Sequence, residues 1–137
     1  MVHALQEAHR VLGLHGTLID LRPAASHRRA GLGLGRSWRL VGALRESLAE
    51  DRAANAAIRT VIRRGLFKSR SRVHFDLDRV MDTLAEFRLW IQDFSRVYKY
   101  GDHEWLVKRL ERALARARGK PKLTVRGLMT LGVLEKL

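Results

Sequence analysis

The chain contains no cysteine among its 137 residues. This absence excludes disulfide bonds and thiol chemistry, and it fits a reducing compartment, so we expect a cytoplasmic protein. No run of 18 uncharged apolar residues occurs, so the sequence predicts no membrane span and no membrane partner. The first residues mix His, Gln, Glu and Arg in a helical pattern, which does not predict a signal peptide.

Acidic residues are scarce compared with basic ones. Lys and Arg total 27 and Asp and Glu total 14, so the net charge is +13. Such a surplus attracts polyanions, including nucleic acids. The basic residues are interleaved with apolar ones and do not form a tail, a pattern that ordinary solvated faces also show. Charge alone therefore leaves a polyanion partner and an ordinary basic surface both open.

Size and hydropathy indicate one globular domain. The chain is long enough for one sizeable core and too short for two ordinary domains. Apolar residues make up 46% of the composition, which excludes a disordered chain. We therefore predict a single domain over residues 1–137.

The most regular apolar pattern lies between Asp76 and Tyr98. Its steps of three and four residues predict a long central helix over residues 76–98, with Asp76 as the N-cap and Gly101 as the stop. The large apolar residues of this pattern are Leu77, Val80, Leu84, Phe87, Ile91, Phe94 and Tyr98.

The remaining patterns predict an α+β fold, with about four mostly antiparallel strands and about four helices packed on the sheet. Gly65 ends the second helix in a Schellman motif, and Asp102 caps the last helix. The predicted elements are a helix at Val2–Leu12, a buried strand at Thr17–Leu21, a hairpin within Ala30–Leu44, helices at Glu50–Arg64 and His103–Ala117, and a strand at Leu123–Leu134.

A local resemblance covers about 20 residues near the start. The run His9-Arg10-Val11-Leu12, a turn, and Gly16-Thr17-Leu18-Ile19-Asp20 resembles the C-terminal part of class I S-adenosylmethionine-dependent methyltransferases. In that family such a helix leads into the fifth strand of the sheet. The family's cofactor-binding motifs lie earlier than this region, so no methyl-donor-binding residue carries over and we predict no cofactor.

The resemblance also implies a sheet arrangement and a partner. It places the strand Leu123–Leu134 antiparallel beside Thr17–Leu21. The other edge of Thr17–Leu21 would then be open, and an open apolar edge is an aggregation hazard unless it is covered. Either the hairpin of the same chain or a second copy could cover that edge, and we expect a homodimer.

No catalytic constellation is evident. There is no cysteine nucleophile, and no serine lies in a nucleophile-elbow context. The candidate small-ligand site is Asp20, Arg22 and His27 at the end of the first strand, with His74 as a neighbour. The alternative is structural, with Asp20 paired to Arg22 or capping the turn.

Two basic stretches are candidate sites for anions or nucleic acids. The alternative for the first stretch is a solvated helix end followed by a loop, where cations are favoured near the C-terminal end of the helix dipole. The candidates are Arg59, Arg63, Arg64, Lys68, Arg70 and Arg72 in the first stretch, and Lys108, Arg109, Arg112 and Arg116 in the second.

Carboxylates are spaced along the predicted central helix at Asp78, Asp82 and Glu86, with Asp93 further on. On a helix they would share one face and could hold a divalent cation. No Glu-x-x-His pair accompanies them, and such sites usually take ligands from a second element. We therefore interpret them as an acidic ridge and predict no metal.

Three functional hypotheses follow. The first is a non-catalytic, self-associating interaction module related to the methyltransferase C-terminal region. The second is a sequence-independent nucleic-acid-binding protein, since no base-reading motif is evident. The third is catalytic: either a truncated piece of a full methyltransferase, or an enzyme that uses Asp20, Arg22 and His27.

Overall fold

The computed structural model describes residues 1–98 and 103–137, without the side chains of residues 97 and 98. It has the α+β architecture that the sequence predicts, with five described strands where four were expected. The elements are α1 Val2–Val11, β1 Thr17–Pro23, β2 Arg29–Leu34, β3 Ser37–Ala43, α2 Ala49–Arg63, β4 Phe67–Met81, α3 Leu84–Tyr98, α4 Glu104–Arg116 and β5 Lys122–Lys136.

The strands form one antiparallel sheet in which β5 has three neighbours. β1 pairs with residues 129–135 of β5, and β2 pairs with residues 122–126. β3 pairs with β2, and β4 pairs with β5. The predicted pairing of the last strand beside Thr17–Leu21 is therefore confirmed.

Contacts between side chains fix the direction of β4 relative to β5. As residue numbers rise along β4, those of the β5 partners fall, so the two strands run antiparallel. β4 pairs with no other described strand and is therefore an edge of the sheet. The contacts are Arg70 with Glu135, His74 with Thr130, Asp78 with Arg126, and Asp82, just after β4, with Lys122.

The chain divides into two compact units. Unit 1 comprises Met1–Ala25, Leu48–Phe75 and Leu128–Leu137, and unit 2 comprises Ser26–Ser47 and Asp76–Gly127. β4 and β5 contribute residues to both. That the whole chain forms a single domain stays a prediction.

The core of unit 1 joins helices α1 and α2 to the sheet. Its buried residues are Ile58, Val61, Phe67 and Leu134, with Val2, Leu5, Leu12, Leu18, Ile62 and Leu66 packed against them. Helix α2 ends as predicted, in a Schellman motif at Gly65, whose φ is +69°. The Leu66 amide donates to Val61 over 3.1 Å, and the Gly65 amide donates to Ile62 over 3.0 Å.

The core of unit 2 lies between helices α3 and α4 and strands β2 and β5. Its buried members include Phe87, Ile91 and Phe94 of α3, Leu106, Val107 and Leu110 of α4, Ala30 and Leu32 of β2, and Leu123 and Val125 of β5. The predicted hairpin is confirmed, with Gly35 and Arg36 as its two-residue loop. At Gly31 a Cβ atom would lie 2.3 Å from the Arg39 carbonyl oxygen, so only glycine fits this close approach.

The predicted helix over residues 76–98 is wrong in its first two turns. Residues 76–81 complete strand β4, and the helix begins at Leu84. Asp76 is therefore not the N-cap. Thr83 has that role, since its Oγ1 accepts from the Glu86 amide over 3.1 Å. Gly101, Asp102 and the side chain of Tyr98 lie outside the described residues.

The expected burial of Thr17–Leu21 is also wrong. β1 alternates, and Ile19 and Leu21 are 65% and 58% exposed. An antiparallel strand shields every second residue when one face of the sheet is covered, and in β1 the alternate residues Leu18, Asp20 and Arg22 are part-buried. The segment after Gly65, which we interpreted as a loop, is strand β4 from Phe67 onward.

Candidate functional site

The candidate small-ligand residues are partly brought together in unit 1. The Arg22 Nε lies 2.9 Å from an Asp20 carboxylate oxygen, and both side chains are largely buried. Arg22 also donates to the Asn55 side chain over 2.7 Å. In the sheet register Arg22 lies opposite Thr130, whose hydroxyl is 3.1 Å from His74 Nδ1.

These contacts support the structural alternative for Asp20 and Arg22. The carboxylate and the guanidinium neutralise each other, so neither presents a free charge to a ligand. One nitrogen of Arg22, Nη2, is buried without a hydrogen-bond partner among the described residues. His27 is exposed and belongs to unit 2, so the structure does not add it to this cluster.

A serine–histidine pair that the sequence does not reveal lies in unit 2. Ser95 Oγ is 3.0 Å from His103 Nδ1, beside a cleft of about 340 Å³. Nucleophilic catalysis needs a histidine whose other nitrogen is oriented by an acid or a similar group. Here the other nitrogen, Nε2, lies 3.1 Å from both the amide nitrogen and the carbonyl oxygen of Arg45. His103 is 3% exposed, and through these contacts the pair joins α3 to the chain near β3.

The first basic stretch is divided between two elements of unit 1. Arg59 and Arg63 are exposed on α2, and Arg64 follows its last turn. Lys68, Arg70 and Arg72 alternate along β4. Arg70 is already paired with Glu135, and this hydrogen bond raises the pKa of Arg70 and lowers that of Glu135.

The second basic stretch forms one wall of a cleft. Arg109, Arg112 and Arg116 of α4 face Arg39 of β3 across a cavity of about 360 Å³. Arg39 was not among the sequence candidates, since only the fold brings β3 beside α4. Lys108 is exposed but does not line this cavity.

The acidic residues do not form the helical ridge that we expected. Asp78 lies on β4 and accepts from Arg126 over 2.8 Å, which lowers the pKa of its carboxyl. Asp82 follows β4 and pairs with Lys122. Glu86 accepts from the Asp82 amide, and Asp93 pairs with Arg96. Within residues 1–98 and 103–137, no group of three or more His, Asp or Glu side chains is placed to hold a metal.

Strand β4 is the most exposed element of the sheet. It is fifteen residues long, and every residue between its two ends is exposed. A strand of this length spans about 50 Å. Because β4 has only β5 as a neighbour, a row of its backbone amide and carbonyl groups faces outward.

The charges along β4 change sign at one residue. On one face of the strand the order is Arg70, Arg72, His74, Asp76, Asp78. The opposite face carries the exposed apolar residues Val73, Phe75 and Leu77. On the face that carries the charges from Arg70 to Asp78, the basic half precedes His74 and the acidic half follows it, which makes this face complementary to its own reverse. Arg79 lies on the opposite face.

A second open edge lies at β1, where we expected the dimer to form. β1 pairs with β5 alone, and the hairpin pairs with β5 through β2, so the hairpin does not cover this edge. Self-pairing of β1 has little to support it. Its charged residues, Asp20 and Arg22, already bind each other.

Comparisons with protein-family models, with curated proteins and with solved structures found no match. No helix among the described residues is long and apolar enough to cross a membrane.

Proposed function

We propose that this protein is a non-catalytic interaction module that forms a homodimer by antiparallel pairing of strand β4 with β4 of a second copy. The observation that carries the proposal is the reversal of charge at His74. Open edge strands commonly carry charges that prevent them from pairing with a strand of another chain. On β4 the charges are ordered so that a second β4, running in reverse, is attracted.

A two-fold axis at His74 gives a register in which both arginines and both aspartates between residues 70 and 78 of this face lie opposite a residue of the other sign. It places Arg72 opposite the second copy's Asp76 and Arg70 opposite its Asp78. The symmetry repeats each pair, so four oppositely charged pairs form. Moving the axis to residue 71 would place Arg70 opposite Arg72, and moving it to residue 77 would place Asp76 opposite Asp78. Directly opposed like charges destabilise a sheet, so these registers are disfavoured.

The other face of β4 supports the same register. With the axis at His74, Val73 lies opposite Phe75 of the second copy, and Leu77 lies opposite Ser71. Aromatic and β-branched residues opposite each other are among the favourable cross-strand pairs. The backbone would add about a dozen hydrogen bonds between the copies.

Existing contacts leave Arg72 and Asp76 able to take part, whereas Arg70 and Asp78 would share their partners Glu135 and Arg126 with the second copy. Arg72 is exposed and has no ion pair or hydrogen bond within the described part of the chain. Asp76 binds Arg29 through one carboxylate oxygen at 2.9 Å, and its other oxygen lies 3.8 Å from Arg126 Nε, which is beyond hydrogen-bond distance. The side chain is 39% exposed, so it can accept a further donor. The two copies would therefore extend a network of charges that each chain already has.

The methyltransferase relationship stays a second proposal. The pairing of β5 beside β1 agrees with what the resemblance implied. If the chain is a piece of a full methyltransferase, an in-frame glycine-rich strand and turn should be encoded upstream of Met1.

Sedimentation velocity at micromolar concentration tests the homodimer. We expect a species of twice the 15.7 kDa chain mass, because an edge of this length can exceed the ~1,000 Å² that a specific interface buries. A monomer at all concentrations up to about 100 μM would contradict the proposal, since self-complementary pairing should be measurable in that range.

A further inference from the structure

We propose that the cleft between β3 and α4, which we call the arginine cleft, binds the phosphate backbone of a nucleic-acid duplex without reading its bases. Arg39, Arg109, Arg112 and Arg116 line it, together with Leu40, Val41 and Ala113. All seven residues belong to unit 2.

The charge of the arginine cleft is uncompensated. No acidic residue lines it, and within the described part of the chain none of the four arginines forms an ion pair or a hydrogen bond. Elsewhere in the sheet of unit 2, Arg29 is paired with Asp76 and Arg126 with Asp78. Like charges held close together repel one another, so an anion in the cleft is favoured.

The spacing of the arginines fits a row of phosphates better than a single small anion. Arg109, Arg112 and Arg116 lie on one face of α4, and a rise of 1.5 Å per residue spreads them over about 10 Å. A strand of duplex DNA carries one phosphate per about 3.4 Å of its axis, so this row spans about three phosphates. Arg39 approaches the same cavity from the opposite wall.

The lining also indicates which form of nucleic acid binds. Single strands are usually held by aromatic side chains on which the bases stack, and no aromatic residue lines the cleft. Trp105 is near, but its ring lies 5.9 Å from the guanidinium carbon of Arg109 and is part-buried. Arginine can read guanine, but the cleft has no Asn, Gln, Asp or Glu side chain to read the other bases, so its contacts are expected to go mainly to phosphates.

Fluorescence anisotropy with a labelled 20-base-pair DNA duplex tests the inference. The double variant Arg39→Gln with Arg112→Gln is expected to weaken binding about tenfold or more at 0.1 M salt. The slope of log affinity against log salt should fall in magnitude by about 1.8, because two phosphate contacts are lost. Arg39→Lys with Arg112→Lys keeps the charge and should keep most of the affinity.

A matched control distinguishes the effect of the arginine cleft on duplex binding from the effect of net charge. Arg59→Gln with Arg63→Gln removes the same charge from exposed positions of α2, and we expect less than a threefold change. Circular dichroism of each variant checks the fold. The inference is overturned if the wild type does not bind the duplex at low salt, if both glutamine variants weaken binding equally, or if a 20-nucleotide single strand binds more tightly than the duplex.

Discussion

Arg72→Asp is expected to dissociate the proposed dimer. In the register centred on His74, this substitution turns two attractive pairs with Asp76 into two repulsive ones. Each cross-strand charge pair contributes about 0.2–1 kcal/mol, and like charges destabilise by a similar amount. The combined change of about 1–4 kcal/mol should raise the dimer Kd by about fivefold to several hundredfold. Sedimentation equilibrium over a range of concentrations measures it.

Arg79→Asp is the matched control for Arg72→Asp. It makes the same change of charge on the same strand, and Arg79 is equally exposed. In the proposed register position 79 lies opposite Ser69, so no charged pair is reversed. We expect its dimer Kd to stay within about threefold of the wild type. If both variants dissociate alike, or if Arg72→Asp leaves the Kd unchanged, the register is wrong.

Phe87→Ala is expected to lower the free energy of unfolding by about 3–5 kcal/mol. Phe87 is fully buried in the unit 2 core, and removing a buried aromatic ring leaves a cavity. Leu77→Ala, from the same apolar pattern in the sequence, should change the free energy by about 0.5 kcal/mol, because Leu77 is 56% exposed on β4. Urea unfolding measures both, in the Arg72→Asp background so that association does not contribute.

These two variants distinguish strand β4 followed by α3 from the continuous helix over residues 76–98 that the sequence predicts. If residues 76–98 formed one helix against the core, Leu77 and Phe87 would share a buried face and both substitutions would be severe. Similar large losses for Leu77→Ala and Phe87→Ala would therefore contradict strand β4 beyond residue 75. A large loss for Phe87→Ala alone agrees with the structure.

The local sequence pattern was enough to predict a helix or strand where no second pattern competed with it. Helix α1, the hairpin, the end of α2 at Gly65 and most of α4 follow from periodicity and turn chemistry that have no competitor nearby. The pairing of β5 beside β1 was predicted too, although it rests on contacts between residues more than 100 positions apart. That prediction came from the resemblance and not from any local pattern.

Strand β4 was missed because two patterns overlap. From Arg72 to Asp78, charged or polar residues alternate with apolar ones, which is typical of a strand. Leu77 and Val80 also fit the three-and-four spacing of the helix that follows, and that longer pattern outweighed the alternation. The contacts that favour the strand are with Arg126 and Thr130 of β5, and no local window contains them.

Candidate sites were likewise predictable where their residues lie close together in the sequence, and not where packing brings distant residues together. Asp20 with Arg22 could be predicted as a pair because they are two residues apart on one strand. The arginine cleft could be predicted only on its α4 side, because Arg39 joins it through the packing of the hairpin on α4. The self-complementarity of β4 is visible in the sequence, but only after the segment is known to be an edge strand.

Cysteine cross-linking at residue 74 tests the central claim most directly. The wild type has no cysteine, so any disulfide of His74→Cys must join two chains. On the proposed two-fold axis the two Cβ atoms would lie about 4.5–5.5 Å apart, close enough for a disulfide after a small adjustment. Ser69→Cys places the two thiols about 30 Å apart in the same register, and Ile19→Cys reports on the β1 edge. Under mild oxidation we predict a covalent dimer for His74→Cys and monomers for the other two; a dimer with Ile19→Cys but none with His74→Cys would contradict pairing through β4.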